Sequence, residues 1–82
     1  MLKPQDIPIE EIYVPTARRK TLDQETVESL AEDILENGQK TPIQVRQGQG
    51  RFVLVEGLHR LEACRSLGED NISAYLVQAK KF

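Results

Sequence analysis

The chain of 82 residues contains no tryptophan, one cysteine and one histidine, and no apolar run in it exceeds four residues. One cysteine and one histidine cannot supply the four ligands of a structural zinc site, and a lone cysteine has no partner for an intrachain disulfide. A bilayer span needs roughly 20 apolar residues, and the start of the chain lacks the apolar core of a secretory signal. We therefore expect a cytoplasmic protein with no membrane partner.

The chain also has no large excess of either charge, because it contains 11 lysines and arginines and 13 aspartates and glutamates, for a net charge of −2. This balance gives no general attraction to a phosphate backbone, so any DNA binding must come from a local patch. The acidic residues concentrate between positions 23 and 36, a stretch without lysine or arginine. We interpret that stretch as the solvated face of a helix in preference to a binding surface.

Two helices are predicted from the spacing of apolar residues. The first covers residues 23–37 and ends at Gly38, and the second opens after Gly57 and ends at Gly68. The inward stripe of the first helix is expected to contain Val27, Leu30, Ala31, Ile34 and Leu35. Steps of three along the second helix place Cys64 on its apolar side, so we expect a core thiol that reacts slowly.

The strands follow from alternation and turn residues. Residues 7–14 are rich in β-branched side chains but include a proline, which favours one short edge strand. Residues 43–45 and 52–55 flank a glycine-containing turn and should pair as a hairpin at the centre of the sheet. Residues 72–77 alternate as a closing strand. The sequence thus predicts a single α+β domain over residues 1–82, with the order β-α-β-β-α-β.

The junction after residues 52–55 carries the most chemical information. A buried strand ends there, Gly57 turns the chain, and the next helix opens with His59 and Arg60 in its first turn. Free N–H groups at a helix N-terminus, a glycine that permits close approach and a forked guanidinium together suit one phosphate group. The alternative is a tight turn in which Arg60 pairs with a neighbouring glutamate and His59 is a surface residue.

These motifs resemble the ParB/sulfiredoxin superfamily along residues 7–77. The resemblance rests on a helix ending in glycine, a Pro-Ile-x-Val strand at residues 42–45 and a Gly-x-x-Arg loop at residues 57–60. It implies a small mixed sheet with two principal helices. It also implies that Gly57, His59 and Arg60 bind the phosphates of a nucleoside triphosphate, ATP as in sulfiredoxins or CTP as in ParB proteins, together with Mg²⁺ and with no metal site formed by the protein alone.

The resemblance implies further positions with less specificity. Arg18 or Arg19 resembles a basic residue at the site entrance, Ser29 resembles a serine that faces the nucleotide, and Thr41 precedes the Pro-Ile strand. Each of the four also has an ordinary structural explanation as a solvated charge, a packing residue or a loop hydroxyl. A separate local patch for weak DNA contact is predicted at Lys20, Arg46 and Arg51.

The sequence differs from the usual motif of each branch of the superfamily, and these differences indicate which branch it resembles less. Sulfiredoxins resemble this chain in Gly-x-His-Arg but carry their reactive cysteine where this chain has Leu58, which disfavours sulfinic-acid repair. ParB proteins usually have Gly-Glu-Arg-Arg, so Leu58 and His59 both depart from that pattern. The downstream helices that read DNA in ParB proteins are not part of this sequence, so DNA is expected to be bound weakly or through other domains.

We therefore expect a ParB-like nucleotide-binding module that acts in DNA partition or an allied plasmid, phage or regulatory process. One alternative is a stand-alone NTPase or nuclease that uses the same cleft, for which Glu56 and Glu62 are the nearest carboxylates in the sequence. The other is a protein-interaction module with a vestigial site, which binds a protein partner or a second copy of itself. Nucleotide titration distinguishes them, because only the interaction module predicts no binding.

Overall fold

The computed structural model of the chain describes residues 3–39 and 41–78. A five-stranded sheet carries helices against one face, which confirms the predicted α+β class. The strands are β1 (Gln5–Pro8), β2 (Ile12–Tyr13), β3 (Ile43–Gln47), β4 (Phe52–Glu56) and β5 (Asn71–Leu76), and the helices are α1 (Thr16–Arg19), α2 (Gln24–Asn37) and α3 (Leu58–Ser66). Within these two ranges, no helix has both the length and the apolar character needed to cross a membrane.

The strand order across the sheet is β1-β5-β3-β4-β2, with β3 at the centre. Strand β3 pairs antiparallel with β4, as the predicted hairpin requires, and parallel with β5. Beyond the end of that parallel pair, the side-chain amide of Gln39 donates to the carbonyl of Ser73 and accepts from its N–H, both at 3.2 Å. Gln39 thus substitutes for a strand residue where α2 leads into the central strand.

The prediction of one edge strand over residues 7–14 is wrong, because this segment forms two strands at opposite edges of the sheet. Strand β1 pairs antiparallel with β5, and β2 pairs parallel with β4. A 3-10 turn at Ile9–Glu11 lies between them, anchored by the Ile9 N–H, which donates to the Asp70 carbonyl at 2.9 Å. Residues 7, 9, 12 and 14 are buried, so the alternation changes phase at the turn and cannot continue as one strand.

The core fills the space between α2, α3 and one face of the sheet. Its most deeply buried large side chains are Ile43, Val45, Leu54, Leu61 and Ile72. Both long helices are followed by a glycine with φ of +77°, at Gly38 and Gly68, as the sequence predicts. Loop segments therefore begin where the helical apolar pattern ends.

One member of the predicted inward stripe lies outside the core. Val27 and Ile34 are buried, but Leu35 is 74% exposed. Successive helix residues are rotated by about 100°, so burial of Ile34 at the middle of the contact turns Leu35 away from the sheet. Fewer residues of α2 face the core than its apolar pattern predicted.

We expect the same substitution to have effects of very different size at two leucines. Leu61→Ala removes a side chain that is 0% exposed and leaves a cavity, so it should lower the free energy of unfolding by about 2 to 5 kcal/mol. Leu35→Ala should change it by less than about 0.5 kcal/mol. Urea denaturation of the two variants measures both effects, and similar losses at the two positions would contradict the assigned burial.

Candidate functional site

The candidate site begins at the turn between β4 and α3. Gly57 is the N-cap of α3 and has φ of +105°. A Cβ atom at this position would lie 2.6 Å from Cγ2 of Ile43, so the backbone of the turn packs directly on the central strand. The first hydrogen bond of α3 joins the Leu61 N–H to the Gly57 carbonyl at 2.9 Å. The free N–H groups of the first turn of α3 therefore point away from the helix, and the packing of Gly57 on β3 fixes their position.

A cavity of about 320 Å³, which we call the loop cavity, lies in front of this turn. Its lining residues are Arg18, Thr21, Leu30, Glu56, Gly57, Leu58, His59 and Arg60. Arg18 lines it from α1 and Arg60 from α3, so one arginine from each of two elements borders the cavity at this helix N-terminus. This combination of cations and N–H donors suits an anion.

His59 links the starts of the two long helices. Its Nε2 accepts a hydrogen bond from the Asp23 N–H at 2.9 Å, across 36 positions of sequence. Because Nε2 accepts, the neutral imidazole carries its proton on Nδ1. The Thr26 hydroxyl donates to the Asp23 carboxylate and holds the pKa of that group below its ordinary value. Asp23 therefore remains ionised at the beginning of α2.

A second cavity, of about 440 Å³, adjoins the loop cavity along α2 and shares Leu30 with it. We call it the α2 cavity. Its lining residues are Asp23, Glu25, Thr26, Ser29, Leu30 and Asp33. Ser29 thus lines a cavity that has Leu30 in common with the loop cavity.

The remaining candidate residues lie elsewhere. Arg19 and Arg51 line a third cavity, of about 540 Å³, on another side of Leu58. Lys20, Thr41 and Arg46 are not among the residues that line these three cavities. Arg46 belongs to β3, whose inward side chains are Ile43 and Val45, so it lies on the sheet face away from the helices.

The two carboxylates nominated for nuclease chemistry are separated. Glu56 lines the loop cavity, whereas Glu62 lines the third cavity and forms an ion pair with Arg65 at 3.4 Å. No group of three or more His, Cys, Asp or Glu side chains with metal-binding geometry occurs within residues 3–39 and 41–78.

Sequence reasoning missed several contributors to the site. Thr21 and Leu30 line the loop cavity, and the Asp23 N–H holds His59, but each depends on how α2 packs against α3. Arg18 and Arg19 could not be separated by sequence. Adjacent positions of a helical turn point about 100° apart, which places these arginines in different cavities.

The chain is similar in sequence to proteins of one known family. Residues 2–81 match the family described as ParB N-terminal domain. A probable chromosome-partitioning protein ParB of Campylobacter jejuni is 39% identical over 62 residues, which are 76% of this chain and 22% of that protein. Across the curated relatives it matches, the chain spans between 22% and 61% of their length.

Two solved structures share the fold. The crystal structure of sulfiredoxin from Arabidopsis thaliana has a TM-score of 0.83 and 30% identity, covering 94% of this chain and 86% of that one. C-terminally truncated ParB from Caulobacter crescentus, complexed with CTP-gamma-S, has a TM-score of 0.82 and 26% identity, covering 96% of this chain and 46% of that one.

We expect Gly57→Ala to destabilise the protein more than Gly68→Ala. Both glycines have positive φ, but a Cβ at Gly68 meets no atom within 4 Å, whereas one at Gly57 would overlap Ile43. Backbone strain alone should cost about 1 to 2 kcal/mol at either position, and the overlap adds to it only at Gly57. Thermal or urea unfolding measures the difference. Equal losses would show that the turn does not rest on β3.

We also expect the thiol of Cys64 to react slowly in the native protein. Cys64 is 2% exposed, and burial raises the pKa of its thiol, so the thiolate is scarce at neutral pH. Labelling by a thiol reagent near pH 7.5 should be far slower in buffer than in denaturant. Comparable rates under the two conditions would mean that the thiol is accessible.

Proposed function

We propose, from the premise that this chain belongs to the ParB N-terminal domain family, that it is a nucleotide-binding module. Its ligand is a nucleoside triphosphate, CTP or ATP, with the phosphates in the loop cavity. The module acts in DNA partition or an allied plasmid, phage or regulatory process.

The observation that carries this proposal is the convergence of donors on the loop cavity. Gly57 presents backbone without a side chain, the N-terminus of α3 supplies N–H groups and partial positive charge, and Arg18 and Arg60 add two guanidinium groups. Phosphate oxygens accept from all of these groups, and Arg can contact two of them at once. The chemistry of the lining therefore fits a phosphate chain.

His59 contributes to this site in a specific protonation state. Its Nε2 is engaged by the Asp23 N–H, so the group that remains to donate to a phosphate oxygen is Nδ1–H. The same hydrogen bond ties the first turn of α2 to that of α3. Phosphate binding and the relative position of the two helices are thereby connected through one imidazole.

The α2 cavity accommodates the nucleoside in this proposal. It shares the lining residue Leu30 with the loop cavity and is also lined by Thr26 and Ser29, which carry hydroxyls. Its volume falls within the usual range of ligand pockets. The Caulobacter crescentus ParB neighbour was solved with CTP-gamma-S, which supports a nucleotide as the ligand class here.

Magnesium enters with the nucleotide. Mg²⁺ is generally held by one or two carboxylates and by substrate phosphates rather than by a protein cage. Glu56 is the carboxylate of the loop cavity and is the residue that would meet such an ion. Leu58 occupies the position of the sulfiredoxin thiol and is 8% exposed, so the proposal does not include sulfinic-acid chemistry.

DNA contact is secondary in this proposal. The chain is net negative, and the acidic side chains of α2 repel phosphates on the helical side of the molecule. We assign weak, non-specific DNA contact to Lys20, Arg46 and Arg51, of which Arg46 lies on the sheet face away from the helices and Arg51 lines the third cavity. Sequence-specific DNA binding would then come from other domains of a longer protein or from a partner.

We expect Arg60→Ala to weaken nucleotide binding by about 1.5 to 3 kcal/mol, or roughly 10- to 150-fold in Kd, because a charged hydrogen bond is lost. Calorimetric titration with CTP, ATP and GTP, each with and without Mg²⁺, measures this loss and identifies the base. Product analysis of the same mixtures shows whether the triphosphate is hydrolysed.

Arg46→Ala is the matched control, since it removes the same charge from the opposite face of the sheet. Its affinity should equal that of the parent. Equal affinities for Arg60→Ala and the parent would refute the phosphate assignment. Absence of binding by all three nucleotides to the folded parent would favour the protein-interaction module.

A further inference from the structure

The loop cavity contains one nucleophilic group to which the proposed function gives no role. Among the described residues that line it, Thr21 alone carries a hydroxyl. The proposed function assigns the arginines and the imidazole of this cavity to the phosphates, and Glu56 to Mg²⁺. A hydroxyl beside a bound triphosphate can accept its terminal phosphoryl group, provided that the oxygen is correctly positioned and the developing charge is stabilised.

The turn between α1 and α2 fixes the position of the Thr21 hydroxyl. Its Oγ1 donates to the Arg18 carbonyl at 2.8 Å, and the Thr21 N–H donates to the same carbonyl at 3.1 Å. Because the hydroxyl proton is directed at this carbonyl, the lone pairs of the oxygen remain free. Thr21 is also exposed, so solvent reaches the residue directly.

A hydrogen bond ties this turn to the first turn of α3. Thr21 precedes Asp23 by two positions, and the Asp23 N–H donates to Nε2 of His59 at 2.9 Å. Two residues of extended chain span at most about 7 Å, so the backbone of Thr21 lies within that distance of a residue bonded to α3. Thr21 therefore borders the same site as the helix N-terminus, although the two are far apart in the sequence.

We propose that Thr21 accepts the terminal phosphoryl group of the bound nucleoside triphosphate, so that the chain phosphorylates itself. This inference rests on the proposed function, because the donor is the nucleotide in the loop cavity. A lone pair of Oγ1 attacks the γ-phosphorus, the bond from that phosphorus to the β–γ bridging oxygen breaks, and the nucleoside diphosphate leaves with the bonding electrons. The hydroxyl proton passes to the solvent that reaches Thr21.

The cations of the loop cavity supply the electrostatic part of this transfer. Phosphoryl transfer needs little covalent chemistry from the protein, and it depends on positioning and on stabilising charge spread over three oxygens. Arg18 and Arg60 border the cavity from two different helices, and the N-terminus of α3 adds partial positive charge. These groups serve the triphosphate before the transfer and the phosphothreonine after it.

The product of this reaction prevents a second one. A phosphothreonine carries about −1.5 to −2 charges at pH 7 and three acceptor oxygens, the same chemistry as a terminal phosphate. Since Thr21 lines the loop cavity, the new group competes there for Arg18, Arg60 and the N–H groups of α3. A phosphorylated chain should therefore bind a further triphosphate at least about tenfold more weakly, because two anions would share one site.

Intact-mass spectrometry of the chain after incubation with ATP or CTP and Mg²⁺ tests the transfer. The parent should gain the mass of one phosphoryl group, and fragmentation should locate that group on Thr21. Thr21→Val removes the hydroxyl and should gain none, whereas Thr21→Ser should still be modified. Thr16→Val is the matched control, because Thr16 is exposed on the adjoining α1 and does not line the loop cavity, and it should be modified as the parent is.

Two measurements distinguish self-phosphorylation from modification by a contaminating kinase. The modified fraction should grow at a rate that is independent of protein concentration, because donor and acceptor are held by the same chain. Arg60→Ala leaves Thr21 and its neighbours in the sequence intact, so a separate kinase would modify this variant as before. Transfer within the chain should instead slow by at least about tenfold, because a charged contact to the phosphates is lost.

Calorimetric titration of the parent separates the failure of this inference from the failure of the proposed function. A parent that binds nucleotide but gains no phosphoryl group would refute self-phosphorylation and leave the nucleotide site in place. A parent that binds no nucleotide would refute both. Modification that persists in Thr21→Val, or that proceeds equally fast in Arg60→Ala, would also overturn the inference. The same holds for unchanged nucleotide affinity in a chain prepared with phosphothreonine at position 21.

Discussion

The close packing of Gly57 on Ile43 is the constraint on which both sides of the molecule depend. Because a turn without a side chain rests on the central strand, α3 begins immediately above the sheet. Its first turn therefore lies where Arg18 and the start of α2 can meet it. The next residue, Leu58, borders both the loop cavity and the third cavity. One contact between backbone and side chain thus fixes the boundary between two separate surfaces.

Helix α2 has three sides with different surroundings. One side packs Val27 and Ile34 into the core, another lines the α2 cavity with Ser29, and a third exposes Glu28 and Leu35. Most of its residues are exposed, so packing in the core restricts substitution mainly at Val27 and Ile34. Its acidic residues lie on the cavity side and on the solvent-exposed side.

Local patterns in the sequence were sufficient for the two long helices, the β3–β4 hairpin and the last strand, because each depends on neighbours within a few positions. They were insufficient for residues 7–14, whose division is decided by the distant strands β5 and β4. The same limit applies to the site. Gly57 and Arg60 belong to one local motif, whereas the contact of His59 with Asp23 requires the tertiary packing of two helices. Leu35 was misassigned for a similar reason, since the width of the buried arc depends on where α3 and the sheet lie.

The division of residues 7–14 between the two edges of the sheet also bears on the order of folding. Gln5 pairs with Ala74 and Ile12 with Phe52, so this segment closes contacts across nearly the whole domain. Such pairings carry a large loop-closure cost and tend to form late. During synthesis, the part of this domain that leaves the ribosome first must wait for β5 before β1 has a partner. We therefore expect the earliest residues to emerge to be among the last to become ordered.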